Sequence, residues 1–498
     1  MIALQQRPLF TQAFAAATLI ALCVFTGLVV SVSPKMGAGV VFAGAFGSLF
    51  LLGLSPTKVF LNALVVLLVA YVFLARGAAS IGFGPIYVGE MVFALAALQL
   101  FVIFPTIRLT TMHWLIVGFM IYGLLRTLPF VGVYGVDAFR DAVMWGYALF
   151  ALVVSFTITR SHLEGIHAAV QRWLPWIITL GAASYAVHLS IGPSLPSPPG
   201  SDLPILFIRA GEMAVHLAGM AAFLILGLYS DTSSEDGRRG RGETLLYAVV
   251  ILGLLVLSAF SRGAFLTIGI TVFVAFLFKP SVRFFQFLAV GALLLPVLLV
   301  VQPTFKFGAR EFSAKQITEN VTSLFSPQGG TELAGTRNFR EEWWDEIISY
   351  TFHGPYFWGG KGFGVNLADD DGFQVLADGS LRSPHNGHLN FLARMGVPGF
   401  MLWLTILSVF VITMVRARQL FLRRGDTLLA GLAAWILVYW LAAATNASFD
   451  VYIEGPQGGI WFWSLIGAGI ALAGLAHAPG SQAIPAAPAQ RSGTLTED

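Results

Sequence analysis

RSPHNGHLNFLARMGVPGFMLWLTILSVFVITMV, residues 382–415, changes character at its middle. Its first half carries Arg, His, Asn and Pro, and its second half is an apolar run of the kind that spans a bilayer. That junction divides the chain. Before it lies a polar stretch, 302–394, that holds eight of the 29 Lys and Arg and three of the nine His. Almost everything else is a succession of apolar runs of about 17 to 25 residues.

With 56% hydrophobic and 11% charged residues, the chain reads as a polytopic membrane protein. Backbone groups in lipid must bond within their own segment, and the runs do not alternate at period two, so they are helices and not barrel strands. The expected spans are 13–31, 37–54, 58–76, 84–104, 112–125, 139–159, 171–191, 210–229, 243–260, 264–278, 282–301, 395–415, 427–446 and 457–476. The fold class is therefore all-α with about 12–14 transmembrane helices and one large extramembrane loop containing short helices. The expected organisation is membrane helices over 1–301, the loop over 302–394, membrane helices over 395–476 and a disordered cytoplasmic tail over 477–498, rich in Ala, Pro, Gly and Ser. The first apolar run is long and is followed at once by others, so it reads as a span and not a cleavable signal.

With a cytoplasmic N-terminus, the inner side collects Arg7, Lys58, Arg108, Arg160, Arg172, Arg238, Arg239, Arg241, Lys279, Arg283, Arg416, Arg418, Arg423 and Arg424. The outer short loops hold only Lys35, Arg76, Arg126, Arg140, Arg209 and Arg262. The positive-inside rule expects this asymmetry, and it puts the large loop outside the cytoplasm. A formal charge of +3 gives no reason to invoke nucleic acid. The single cysteine, Cys23, excludes an intrachain disulfide framework. The inner loops contain no phosphate-binding or dinucleotide fingerprint, and there is no internal repeat of the kind common in secondary transporters.

Within the loop, GTRNFREEWWDEII (335–348) predicts an amphipathic helix over 338–351. Phe339, Trp343, Trp344, Ile347 and Ile348 fill one half and Glu341, Glu342, Asp345 and Glu346 the other. Arg340 falls in the middle of the apolar half, where it needs an anionic partner: a ligand phosphate or a structural carboxylate. Arg337 lies at the edge, positioned to pair with Glu341. In the second helix Ser383 is the expected N-cap, Pro384 the first residue and Gly396 the stop. His385 then sits in the first turn on the stripe of Leu389 and Leu392, with His388 one turn on. His388 and Asp369, Asp370 and Asp371 match no metal spacing, so a solvated acidic loop is the expected state and neither a metal nor a cofactor is called for. Arg262, in SAFSRGAF (258–265), falls between two spans on the same outer side. Glu90, Glu212, His188 and His216 lie within spans, as contacts between helices or as marks of a transport path.

These residues in this order resemble the O-antigen ligase and O-antigen polymerase superfamily of bacterial envelope glycosyltransferases. The similarity rests on the Ser-Arg-Gly at 261–263, the Arg before a Trp-containing helix, the Pro/Gly-rich turn GPYFWGGKGFG (354–364), the pair His385–Asn386 and the Gly396-to-Gly399 turn. It covers roughly 240–415 by motif. The resemblance implies transfer of a glycan from an undecaprenyl-pyrophosphate carrier to a hydroxyl of lipid A-core or a similar acceptor, in lipopolysaccharide or related polysaccharide biosynthesis. It places the enzyme in the bacterial inner membrane with its site facing the periplasm. By the same likeness Arg262 and Arg340, with Arg337 as a rival, hold the pyrophosphate, and His385 is the general base. Asn386, His388 and Trp344 would support them, without metal or cofactor. The alternatives are a polymerase joining carrier-linked repeat units and, from another class, a polysaccharide or lipid-carrier flippase.

Overall fold

The structure, a computed structural model, describes residues 55–477 apart from 84–85, 104–107, 200, 231–238, 281, 303, 308–309, 314–315, 318 and 321–330. The expected spans 13–31 and 37–54, Cys23 and the tail beyond 477 lie outside the described residues.

Every apolar run expected between 56 and 477 is a helix. In chain order they are α1 (Pro56–Leu74), α2 (Val88–Ile103), α3 (Thr111–Tyr134), α4 (Val136–Gly146), α5 (Ala148–Thr157), α6 (Arg160–Ile191), α7 (Ala210–Ile225), α8 (Arg239–Phe260), α9 (Arg262–Phe278) and α10 (Val282–Val301). The loop contributes α11 (Thr331–Ile348), and the chain closes with α12 (Gly387–Arg423), α13 (Thr427–Ala447) and α14 (Pro456–His477). Among the described residues seven helices are long and apolar enough to cross a bilayer: α1, α3, α6, α8, α12, α13 and α14. The pair α4 and α5, bent by 41°, makes an eighth if the two cross as one span. The stretches Val88–Ile103, Ala210–Ile225, Arg262–Phe278 and Val282–Leu298 are apolar but shorter. The protein is an all-α polytopic membrane protein; its strands, among the described residues, are two short antiparallel hairpins.

The centre of the bundle is α7, every residue of which is buried. Its sequence, AGEMAVHLAGMAAFLI, is rich in Ala and Gly, and small side chains let neighbouring helices approach closely where lipid offers no hydrophobic drive. It packs against α9 and α13. A Cβ on Gly219 would lie 2.6 Å from the Tyr439 ring, whereas one on Gly118 would meet nothing within 4 Å. Gly219→Val should therefore destabilise the bundle by about 1–3 kcal/mol and lower its thermal midpoint in detergent. Gly118→Ala should leave the midpoint in place, and equal midpoints for the two variants would contradict this packing.

The loop builds a small core of its own. Trp343, Ile347, Tyr350, Leu367, Leu381 and Leu392 are buried together, with Phe339 and Leu389 packed against them. The apolar face expected of α11 is thus found, though the helix starts at 331, passes into a π turn at Ser349–His353 and leaves Ile348 39% exposed. Trp343 stacks on Phe373 at 5.3 Å and donates to Asp371 at 2.6 Å.

The second loop helix differs from its expected bounds. Its N-cap is Asn386, not Ser383: the Asn386 side chain accepts from the backbone N–H of both His388 and Leu389 at 3.1 Å. Gly396 (φ 66, ψ −173) does not stop the helix but kinks it, and α12 continues to Arg423 across the expected boundary at 394–395. The kink has a cause. The Gly-rich turn docks there, with Val397 N–H donating to Phe357 O at 2.8 Å and Lys361 N–H to Ala393 O at 2.7 Å. A Cβ on Gly396 would meet Phe357 O at 2.5 Å. Tyr122 and Arg126 of α3 fix the same turn by donating to Trp358 O at 2.6 Å and Gly359 O at 2.7 Å.

Candidate active site

A cavity of about 910 Å³ opens where α7, α9, α11 and the ends of α12 and α13 meet. Arg262, Arg337, Arg340, Trp344 and His385 all line it, so residues scattered over 123 positions of sequence share one space. Arg262 is the first residue of α9, exposed to the cavity because Ser261 ends the preceding turn and caps Ala264 N–H at 3.2 Å. Arg337, Arg340 and Trp344 come from α11.

His385 does not sit in a helical first turn. It precedes the Asn386 cap with φ 53, a backbone conformation uncommon for a side chain of this size. Such conformations persist when surrounding contacts over-determine them and concentrate at functional sites. Here Trp344 Nε1 donates to Pro384 O at 2.9 Å on one side. On the other, Arg382 and the buried Arg394 hold Asp141 at 3.1 and 3.0 Å. The imidazole is thereby held at the cavity wall. Its Nδ1 is buried, has no hydrogen bond among the described residues and lies 3.9 Å from Asp450 Oδ1.

Asp450, in the turn between α13 and α14, also receives Arg209 NH1 at 2.7 Å. Burial raises the pKa of this carboxyl, but the approach of His385 and the charges of Arg209 and Arg76 outweigh it and hold the acid well below the usual carboxylate range. Behind it Glu212, 1% exposed, takes Arg76 at 2.6 Å and the backbone N–H of Arg209 at 3.3 Å. Four arginines and two carboxylates line the cavity: Arg209, Arg262, Arg337 and Arg340 against Glu341 and Asp450. Arg337 pairs with Glu341 at 2.6 Å as expected. Arg340 donates to Phe449 O at 3.1 Å, and among the described residues no carboxylate lies within 4 Å of it. Burial lowers the Arg340 pKa and Arg262 and Arg209 push the same way, with Asp450 opposing. A guanidinium stays protonated regardless, so among the described lining residues four positive charges share the cavity with two carboxylates.

Residues 247–404 match the protein-family model described as O-antigen ligase. The match supports the O-antigen ligase superfamily for this segment, about a third of the chain. No curated protein matches its sequence. That family similarity supports ligase- or polymerase-type glycosyltransferase activity on lipid-linked glycans in general terms, in a setting consistent with a bacterial inner membrane. The matched segment of this O-antigen ligase relative begins in α8, ends in α12 and contains Arg262, Arg337, Arg340 and His385.

Other expected site residues fall elsewhere. Asn386 and His388 are not part of the cavity lining. Asn386 is the cap of α12. His388 is buried, its Nδ1 receiving Trp403 Nε1–H at 3.0 Å and its Nε2 lying 3.0 Å from Ala444 O. An indole N–H can only donate, so Nδ1 accepts and Nε2–H donates to the carbonyl; His388 is a neutral structural bridge. The acidic run is not simply solvated: Asp371 is buried and, with Asp370, pairs with Lys361. Among the described residues no group of three His, Cys, Asp or Glu is arranged to hold a metal. Of the polar residues within spans, Glu90 meets Tyr147 at 2.9 Å and His216 meets Tyr439 at 2.7 Å as contacts between helices, while His188 lines the cavity with its Nδ1 3.0 Å from Leu206 O.

Two charged lining residues were not singled out as site residues by sequence, Arg209 and Asp450, and both lie outside the matched segment. The available signal was their position. Arg209 is among the six cations expected on the outer side, and Asp450 sits in the turn between the last two spans on that side.

Proposed function

We propose that this protein transfers a glycan from an undecaprenyl-pyrophosphate carrier to a hydroxyl acceptor, lipid A-core or a similar glycolipid, at the periplasmic face of the inner membrane. The observation that carries the reading is that His385, backed by Asp450, lines one cavity with Arg340 and Arg262. In this reading His385 takes the proton of the acceptor hydroxyl as its oxygen attacks the anomeric carbon. The bond from that carbon to the pyrophosphate oxygen breaks with inversion, and the electron pair leaves on the carrier pyrophosphate. Arg340 and Arg262 meet the charge that develops there, and a preorganised charge of this kind costs no reorganisation during the reaction. The imidazolium that forms is stabilised by Asp450, which stands on the Nδ1 side and leaves Nε2 for the acceptor.

The test is purified protein with carrier-linked glycan and either lipid A-core or further carrier-linked units, with and without a chelator. Glycan on lipid A-core, undiminished by chelator, is the expected product. Elongated carrier-linked glycan in its place would make the protein a polymerase, and chelator loss restored by magnesium would overturn the arginine-only account of leaving-group charge.

The periplasmic placement has its own check. In a Cys23→Ala background, a cysteine at Ser326 should react with an impermeant thiol reagent in intact cells and one at Ser234 should not. Labelling confined to Ser234 would invert the topology and exclude a periplasmic site.

A further inference from the structure

At the end of α9 far from the cavity, three cations from three helices converge. Lys279, which caps α9, donates to Leu226 O at 2.9 Å. Arg283, in the first turn of α10, donates to Tyr229 O at 2.8 Å and pairs with Glu243 at 3.4 Å. Arg418 of α12 donates to Phe278 O at 2.7 Å. Lys279 and Arg283 close over Gly227 (φ +71): a Cβ there would lie 3.0 Å from Lys279 Nζ and 3.2 Å from Arg283 NH1. Burial and the neighbouring Arg283 and Arg418 all lower the Lys279 pKa.

The carbonyls account for part of this. Chain carbonyls left over at helix C-termini draw cations. They use one donor of Lys279 and one of Arg418, however, and among the described residues two ammonium N–H groups and most of a guanidinium fork have no further acceptor. Glu243 is the one carboxylate within 4 Å of the three cations among the described residues. Like charges held side by side with spare donors form a receptor for a compact anion.

The surroundings say which anion. Leu277, Val282 and Phe285, at the adjoining ends of α9 and α10, are 60%, 74% and 59% exposed, an apolar surface continuous with the cations. The 17 residues of α9 rise about 25 Å, close to one hydrocarbon thickness, between Arg262 at the cavity and Lys279 here. We infer that Lys279, Arg283 and Arg418 bind the phosphate headgroup of an anionic phospholipid in the leaflet opposite the active site. The acyl chains lie along α9 and α10, and the lipid joins the ends of α7, α9 and α12 across the junction that Gly227 leaves open. Basic pockets between membrane helices recognise anionic headgroups in this way, at about 1 kcal/mol per cation.

Native mass spectrometry of the full-length protein, titrated with phosphatidylglycerol or phosphatidylcholine, tests this without reference to transfer activity. Wild type should bind phosphatidylglycerol more tightly than phosphatidylcholine. Each of Lys279→Gln, Arg283→Gln and Arg418→Gln should weaken that binding about fivefold, and the triple variant about 10²-fold. Should the triple variant fail to fold, the three single variants decide. Equal binding of the two lipids by wild type, or single variants that keep wild-type phosphatidylglycerol affinity, would overturn the inference. Competition by millimolar inorganic phosphate as effective as that by lipid would replace the lipid with a free anion and overturn it equally.

Discussion

His385→Ala is expected to lose about 10²- to 10⁴-fold in transfer rate while the protein still inserts and retains carrier-linked glycan. The other candidate bases at the wall have partners of their own: His188 Nδ1 lies 3.0 Å from Leu206 O and Glu341 pairs with Arg337. The arginines remain protonated at neutral pH. Asp450 is held ionised by Arg209 and Arg76 and lies on the Nδ1 side of the ring. His388→Ala provides the contrast. Its loss strands the Trp403 N–H and the Ala444 carbonyl, at about 1–3 kcal/mol each, so thermal stability should fall while the folded fraction turns over within a few-fold of wild type. Single-turnover rates together with melting midpoints separate the two outcomes. Near-full turnover by His385→Ala would refute its role as base, and a rate collapse in well-folded His388→Ala would move that role one turn along α12.

Arg340→Lys should lower the rate by about 10²- to 10³-fold, against a change within a few-fold for Arg337→Lys. Both keep the charge, but lysine loses the planar fork that holds two phosphate oxygens at once. The surroundings make the difference. Arg337 is committed to Glu341 in an exposed i,i+4 pair, where an ammonium substitutes readily. Arg340 reaches the cavity beside Arg262 with a backbone carbonyl as its partner. Carrier binding and single-turnover rate should be measured for both variants. Equal tolerance of the two changes with normal folding would remove Arg340 from the site, and a severe Arg337→Lys would make Arg337 the phosphate ligand.

The sequence by itself determined the elements whose formation is local. Apolar length and period located the helices between 56 and 477 to within a turn or so, except at α3, at the bent pair α4 and α5, and at α6, α11 and α12, because a helix satisfies its backbone within its own segment. The buried face of Phe339, Trp343 and Ile347, and the Arg337–Glu341 pair, follow from the same 3.6-residue period. Charge asymmetry grouped Arg76, Arg126, Arg140, Arg209 and Arg262, and all five meet at the end of the bundle that carries the loop.

Only the tertiary structure decided where the second loop helix begins. Ser383 and Asn386 are both good caps, and the choice falls to Asn386 because Pro384 O is claimed by Trp344, 40 residues away, while Arg382 is drawn to Asp141, 241 away. That choice takes His385 out of the helix and sets it on the cavity wall. Gly396 likewise reads as a stop or a kink with equal ease, until the 354–364 turn docks against it and supplies Phe357 O to the Val397 N–H that the break exposes. Asp450 and Arg209 stand 241 residues apart, and no period or cap relates them. Their pairing follows from packing α7 against α13, which brings two helix ends together and requires a counter-charge for each ion removed from water.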